Sequence, residues 1–181
     1  MDGFKLLVIS GIDGKFHEFV QIEKELGLQT VKYSYNRNIL FEENLKICRN
    51  IIKDDENSKY IALGWSIGAV LGFFLLEQKS IVSSILINPF FRRSEILLPR
   101  GIECEEEVCI ADTIKSKKRI CIIRGNEDDK IPSIQSDKIF DFYGKENTLL
   151  ITIEGAKHNL SSFSKDKICL LIKNFIKETL L

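Results

Sequence analysis

The sequence has no excess charge of either sign, since 26 Lys and Arg residues balance 26 Asp and Glu residues among its 181 residues. Proteins that bind nucleic acid or an anionic membrane surface through general electrostatics need a basic excess. We therefore expect neither partner, and a charged partner must be recognised by a local patch.

The five cysteines lack the paired spacing of a zinc site, and only two histidines accompany them. Their number is odd and their positions are scattered. We expect reduced thiols in a cytoplasmic protein that needs no metal. The cysteines are Cys48, Cys104, Cys109, Cys121 and Cys169.

An export signal and a long apolar run are also missing. Met1-Asp2-Gly3 leads directly into a strand-like segment, without a basic region or a cleavage site. The longest apolar stretch, residues 61–76, is shorter than the ~20 residues that a membrane span requires. With 44% apolar and 29% charged residues, and no repeat or linker, the chain is expected to form one soluble domain over residues 1–181.

The most informative segment is the pentapeptide Gly64-Trp65-Ser66-Ile67-Gly68, which lies between an apolar run and a helix-like run. Strand, G-x-S-x-G and helix in this order predict a nucleophile elbow, a sharp turn that raises a serine Oγ above the edge of a sheet. The glycines allow backbone and helix to approach where a Cβ would clash. The turn also directs the Ile67 N–H toward a developing oxyanion. The alternative is a buried strand-helix corner without catalytic function.

Apolar runs suited to buried parallel strands alternate with segments of helical periodicity along the chain. Strands are predicted at residues 4–9, 30–35, 60–64, 82–88, 119–124 and 148–153. Helices are predicted near residues 16–26, 41–52, 69–77, 133–143 and 163–179. This alternation predicts an α/β fold with about six mainly parallel strands and helices on both faces.

Residues 94–118 interrupt the alternation and show no clear period. In a sheet of this kind, ligands bind outside the carboxyl ends of the strands. An insertion that leaves the sheet at that edge lies over the site, so we predict a small cap. An ordinary surface loop is the alternative.

A serine nucleophile needs a base that takes its proton and a carboxylate that orients the base. The loop after the predicted fifth strand, GNEDDKIP, contains three adjacent acids at residues 127–129. The loop after the sixth strand, GAKHNL, contains His158, which can reach back to Ser66 from there. His17, in the predicted first helix, is the weaker candidate for the base.

The three ordered loops GWSIG, GNEDDKIP and GAKHNL resemble those of serine esterases of the α/β-hydrolase superfamily, over nearly the whole chain. The resemblance implies the order serine, acid, histidine and no cofactor. The pattern Gly-x-x-Asp-x-x-apolar-Pro, common in such relatives, selects Asp128 as the acid, with Asp129 next. It also implies a second oxyanion donor in the first loop, where Ile12 matches best, although Ser10-Gly11 replaces the frequent His-Gly pair.

The run Leu63-Gly64-Trp65-Ser66-Ile67-Gly68 resembles, more narrowly, the elbow of the pimeloyl-acyl-carrier-protein methyl ester esterases of biotin synthesis. That resemblance implies a methyl ester substrate and a role for Trp65 in substrate contact, with packing beside the elbow as the alternative. A general carboxylesterase or thioesterase uses the same chemistry. A non-catalytic binding protein with a hydrolase fold is the alternative of another class.

Basic residues near the predicted site suggest a partner. Arg92 and Arg93 follow the fourth strand, and Arg100 lies in the predicted cap. Acyl carrier proteins are acidic, and arginine recognises phosphate and carboxylate through a planar fork of donors. We therefore predict a carrier-protein partner; a solubilising set of charges balanced by nearby glutamates is the alternative. The oligomeric state remains open.

Overall fold

The computed structural model describes residues 3–14, 25–55, 57–97, 107–112, 116–160 and 165–180. Within these residues, six strands form one sheet, and all its strand pairs are parallel. The strands are β1 (Phe4–Ile9), β2 (Gln29–Tyr33), β3 (Lys59–Trp65), β4 (Ile81–Ile87), β5 (Arg119–Gly125) and β6 (Thr148–Ile153). The predicted parallel sheet is confirmed.

The strand order, β2-β1-β3-β4-β5-β6, places the reversal of winding between β1 and β3. From β1 the chain adds β2 on one side, and from β3 it continues toward β6 on the other. Such switch points leave a crevice outside the carboxyl ends of the strands, where ligands of open α/β sheets bind. Ser10 follows β1 and Ser66 follows β3, so both lie at this crevice.

Four helices cover the sheet in the described part of the chain. They are α1 (Phe41–Lys53), α2 (Ile67–Phe74), α3 (Ile134–Tyr143) and α4 (Lys165–Leu180). Residues of α1, α2 and α3 share one apolar cluster, and those of α4 belong to a second. Because a parallel sheet needs apolar cover on both faces, the two clusters account for the near-continuous Ile, Leu and Val of the central strands.

In helix α1 the apolar residues of the sequence pattern form the buried face. Phe41, Leu45, Cys48 and Ile52 follow the helical period, and all four are buried, as predicted. Burial raises the pKa of the Cys48 thiol to about 12, so this cysteine is protonated and unreactive near neutral pH. The described cysteines, which exclude Cys104, are all buried free thiols.

Several boundaries differ from the sequence prediction, and two of these differences have a clear structural cause. Strand β2 ends at Tyr33 rather than at residue 35 because the Tyr35 N–H turns away and donates to Ser10 Oγ at 3.0 Å. Helix α2 begins at Ile67, two residues early, because the elbow turn passes directly into the helix. The predicted helix 16–26, with His17, lies outside the described residues except for its last two, which are helical.

The predicted insertion, residues 94–118, is described only in part. A 3₁₀ turn at Arg93–Glu95 and another at Ile110–Asp112 flank a bridge between Arg92 and Cys109. Val108 and Ile110 are buried in the core, so this part packs into the body of the protein. Residues 98–106, which include Arg100 and Cys104, lie outside the described residues, and the cap stays a prediction.

The described residues lack both a membrane-spanning helix and a metal-binding cluster. None of the helices in the described part of the chain combines the length and the apolar character required to cross a bilayer. Among the residues that the structure describes, no group of three or more His, Cys, Asp and Glu side chains has an arrangement that could hold a metal ion.

Candidate active site

Ser66 occupies the turn between β3 and α2 in a strained backbone conformation. Its φ is 55° and its ψ is −121°, values that a residue with a Cβ rarely adopts. Backbone hydrogen bonds hold it there: the Ser66 N–H donates to the Ile87 carbonyl at 2.8 Å, and the Ser66 carbonyl accepts from Ala69 and Val70. The strain is therefore imposed by both the neighbouring strand and the following helix.

The two glycines of the pentapeptide have the mechanical function that the sequence predicts. A Cβ on Gly64 would lie 2.2 Å from the Gly68 carbonyl oxygen, and one on Gly68 would lie 2.3 Å from the Ser10 carbonyl oxygen. Both contacts are far inside van der Waals distance and involve backbone atoms, which have no room to move. Glycine at both positions lets the strand, the turn and the helix meet.

The loop after β1 lies directly against the elbow. A Cβ built on Gly11 would sit 3.7 Å from Ser66 Cβ and 3.5 Å from the Trp65 carbonyl oxygen. Ser10 anchors this loop, since its buried Oγ donates to the Gly11 carbonyl and accepts from Tyr35. The segment containing Ile12 thus adjoins the candidate nucleophile.

Ile67, the other predicted oxyanion donor, is the first residue of α2. Its N–H therefore has no acceptor within the helix and is available to an anion at the elbow. Ile12 is partly buried and packs against the apolar cluster to which Ile67 belongs. The backbone N–H groups of both residues lie on segments that meet at Ser66.

Asp128 and His158 are brought together from different loops. Asp128 Oδ2 lies 2.8 Å from His158 Nδ1, and the Asp128 side chain is only 1% exposed. Its other oxygen, Oδ1, accepts hydrogen bonds from the N–H groups of Lys130 and Ile131 at 2.8 and 2.9 Å. With Nδ1 occupied, the imidazole keeps Nε2 for another partner, the arrangement required of a general base.

The structure separates two acids that are adjacent in sequence. The Asp129 side chain is 57% exposed and pairs with Lys130 Nζ at 3.1 Å. That hydrogen bond lowers the pKa of the Asp129 carboxyl below its ordinary value. Glu127 is exposed. The geometry therefore favours Asp128 as the partner of the histidine.

Asn88 links two loops of the candidate site through its side chain, and the sequence analysis did not identify it. Its side chain is 1% exposed; Nδ2 donates to the His158 carbonyl at 2.6 Å and Oδ1 accepts from the Gly125 N–H at 3.0 Å. Asn88 also has a positive φ, 45°. It thus ties the end of β4 to the loops that follow β5 and β6. The available signal was a polar residue that closes a buried strand directly before Pro89.

Trp65 packs beneath the histidine loop. It is 9% exposed, and its ring centroid lies 6.3 Å from that of His158 in an edge-on arrangement. Little of the indole remains for a substrate to contact. The alternative of packing beside the elbow accounts for these observations better than substrate contact does.

The predicted arginine cluster is not a uniform set of surface charges. The Arg92 side chain is 44% exposed and pairs weakly with Glu95 and Glu107, at 3.8 and 3.7 Å. Arg93 is only 6% exposed, so it does not present its charge at the surface as the sequence interpretation requires. Arg100 lies outside the described residues.

Comparison with solved structures shows which known fold this chain shares. The chain is similar to Est1E from Butyrivibrio proteoclasticus with bound ferulic acid (TM-score 0.78, 15% identity, 97% of this chain and 89% of that chain). It is also similar to the Pyrococcus furiosus esterase Pf2001 (TM-score 0.77, 15% identity, 97% and 83%). A third similar structure is the Paleococcus ferrophilus monoacylglycerol lipase (TM-score 0.76, 12% identity, 97% and 94%).

These similarities show that the chain has the α/β-hydrolase fold, as predicted. They cover almost the whole chain, yet the sequences have diverged so far that the similarity establishes the fold alone. No protein-family model matches the chain. No curated protein matches it in sequence.

Proposed function

We propose that the protein is a serine ester hydrolase in which Ser66 is the nucleophile, His158 the general base and Asp128 the orienting acid. The observation that carries the proposal is the buried Asp128 carboxylate at 2.8 Å from His158 Nδ1, at the same sheet edge as the strained Ser66 turn. A buried acid, a histidine oriented by it and an elbow serine are the parts that acyl transfer requires.

In this proposal Ser66 Oγ attacks the ester carbonyl while His158 Nε2 takes the hydroxyl proton. The N–H groups of Ile67 and Ile12 stabilise the oxyanion of the tetrahedral intermediate. His158 then returns the proton to the departing alcohol, which leaves an acyl-enzyme. Water activated by the same histidine releases the acid and restores Ser66. Asp128 holds the imidazole tautomer and stabilises the imidazolium.

A fluorophosphonate probe tests the proposal directly, because it labels serines that a neighbouring base has activated. We expect one labelled site in the wild-type protein, at Ser66, and none in Ser66→Ala. Peptide mapping by mass spectrometry identifies the modified residue. Absence of labelling in a folded wild-type protein would favour the alternative of a non-catalytic binding protein.

Asn88 gives a prediction about positioning. Asn88→Gly keeps a residue that tolerates the positive φ but removes both side-chain hydrogen bonds. We expect kcat to fall about 10- to 100-fold, with little change in KM, because small displacements of a catalytic base are costly. Steady-state kinetics with a p-nitrophenyl ester measures the effect.

The conservative variant Asn88→Asp is the matched control. It keeps the acceptor for the Gly125 N–H but places a carboxylate oxygen, which cannot donate, against the His158 carbonyl. Because the two oxygens repel, its kcat should fall at least as far as that of Asn88→Gly. If both variants lose thermal stability but keep the wild-type kcat, Asn88 supports the fold and does not position the histidine.

A finer proposal concerns the substrate: pimeloyl-acyl-carrier-protein methyl ester, hydrolysed in biotin synthesis in the cytoplasm. It is supported by the resemblance of the elbow sequence around Trp65 and Ser66. General carboxylesterase or thioesterase activity is the alternative within the same chemistry. Growth of a strain that lacks its pimeloyl methyl ester esterase tests it. The wild-type gene should restore growth without biotin, and Ser66→Ala should not.

The carrier partner leads to a prediction for Arg92, whose side chain is 44% exposed. Charge reversal, Arg92→Glu, should lower kcat/KM for a carrier-linked ester, and more strongly at low salt, because steering by charge is screened. The value for a small free ester should be unchanged.

Arg119→Glu is the matched control for this prediction. The Arg119 side chain is 41% exposed and also pairs with a glutamate, but it lies at the amino end of β5, the opposite edge of the sheet. Equal losses in both variants, or equal effects on both substrates, would remove Arg92 from the carrier interface.

A further inference from the structure

Arg93 is a buried cation without a polar partner among the described residues. It is 6% exposed, its Nε is buried without a hydrogen bond, and none of the carboxylates in the described residues forms an ion pair with it. The guanidinium lies 6.0 Å from the centroid of the Phe90 ring. The adjacent Arg92, by contrast, is more exposed and has two carboxylate partners.

This arrangement leaves the guanidinium charge without a counter-charge among the described residues. A guanidinium stays charged at any accessible pH, so burial does not neutralise it. A buried charge without a counter-charge is destabilising, and a cation–π contact compensates only in part. The Arg93 fork has no acceptor among the described residues, and its Nη atoms, unlike Nε, are not fully buried, so they can reach a carboxylate or a phosphate group.

Arg93 lies in the segment from Asn88 to Leu97, and both ends of this segment form hydrogen bonds with loops of the candidate active site. At one end, Asn88 donates to the His158 carbonyl. At the other end, the Leu97 N–H donates to the carbonyl of Lys130, two residues after Asp128. The segment therefore spans the space between the loops of the proposed base and acid.

Two further contacts hold the middle of this segment at the carboxyl edge of the sheet. The N–H groups of Phe91 and Arg92 both donate to Oε1 of the buried Gln135, in the first turn of α3. Phe90, on whose ring the Arg93 guanidinium lies, belongs to the same apolar cluster as Ile67, the residue after Ser66. Arg93 and the elbow therefore adjoin the same apolar cluster.

We propose that Arg93 binds an anionic group of the substrate, a carboxylate or a phosphate, at a distance from the ester that Ser66 attacks. The proposal deepens the proposed function and rests on it for the reaction, although the binding of the anion does not require turnover. Two sources fit this chemistry: the free carboxylate of a dicarboxylic acid monoester, and the phosphate of a carrier-protein arm.

Binding is measured on Ser66→Ala protein, which holds substrate without turnover. The probes are monomethyl glutarate and 4′-phosphopantetheine, with methyl butyrate and pantetheine as their neutral counterparts. We expect at least one anion to bind on the order of 10²-fold more tightly than its neutral counterpart. Adding Arg93→Met should abolish this preference, and adding Arg119→Met, at the opposite edge of the sheet, should preserve it. The anion that is preferred identifies the source.

Thermal stability provides a second readout. Without ligand, Arg93→Met should raise the melting temperature, because it replaces a buried unpaired charge with an apolar side chain of similar length. A large loss of stability, together with unchanged anion preference, would show that Arg93 is paired within the chain and overturn the proposal. Arg93→Lys keeps the charge but not the planar fork, so it should retain only part of the preference if Arg93→Met fails to fold.

Kinetics separates this proposal from the proposed function. Arg93→Met should lower kcat/KM for the mono-p-nitrophenyl ester of glutarate on the order of 10²-fold and leave p-nitrophenyl butyrate unchanged. If the wild type hydrolyses neither ester and resists the fluorophosphonate, the proposed function fails while the binding assay still decides on Arg93. If turnover occurs but neither anion is preferred over its neutral counterpart, the Arg93 proposal fails alone.

Discussion

Ser66→Ala is expected to lower the hydrolysis of a short p-nitrophenyl ester on the order of 10³-fold or more. The neighbours of Ser66 in the elbow, Trp65 and Ile67, have no nucleophilic group, so no adjacent side chain can substitute. The change keeps a Cβ at the strained φ of 55° and therefore adds no new backbone cost. Initial rates at saturating substrate, with circular dichroism to verify the fold, measure the effect.

Ser84→Ala serves as the control for this substitution. Ser84 is a buried serine on the neighbouring strand β4, and its Oγ donates to the Ala62 carbonyl within the sheet. Its loss should leave the rate close to that of the wild type. Substantial activity in Ser66→Ala would place the chemistry at another residue and end the proposal of an elbow nucleophile.

Asp128→Asn is expected to lower kcat by about 10⁴-fold, as found for a triad acid whose carboxylate becomes an amide. The amide nitrogen facing His158 Nδ1 favours the wrong imidazole tautomer. Two hydrogen bonds from the Lys130 and Ile131 N–H groups to Oδ1 hold the side chain in place. The variant should therefore keep the geometry of the site but lose catalytic activity.

Asp129→Asn provides the matched comparison, since it makes the same chemical change one residue away. The exposed Asp129 pairs with Lys130 and makes no contact with the histidine among the described hydrogen bonds. Its kcat should stay near the wild-type value. The opposite ranking of the two variants would transfer the role of the acid to Asp129.

A mispositioned histidine and a missing carboxylate differ in their pH dependence. In Asp128→Asn the imidazolium loses its stabilising counter-charge, so the pH profile of kcat/KM should change shape. In Asn88→Gly the Asp128–His158 pair remains, and the profile should be lowered without a shift. Measuring both profiles therefore distinguishes positioning from electrostatic stabilisation.

Much of the architecture followed from local patterns in the sequence. Apolar runs of strand length, alternating with helical periodicity, predicted all six described strands to within a few residues. The elbow was predictable because its geometry depends on consecutive residues: Gly64 and Gly68 permit the approach that the strained Ser66 needs. His158 followed from its position after the last strand, since the carboxyl ends of parallel strands share one edge.

Composition and periodicity treat some neighbouring residues alike, and the tertiary structure separates them; for the two aspartates, the resemblance to serine esterases had already favoured Asp128. Asp128 and Asp129 are the same residue type in the same loop, yet one faces His158 and the other faces solvent. Arg92 and Arg93 differ in the same way, with one paired at the surface and the other buried. Asn88 gains its importance through contacts with residues 37 and 70 positions away. Such contacts depend on how distant loops meet at the sheet edge, which local periodicity does not encode.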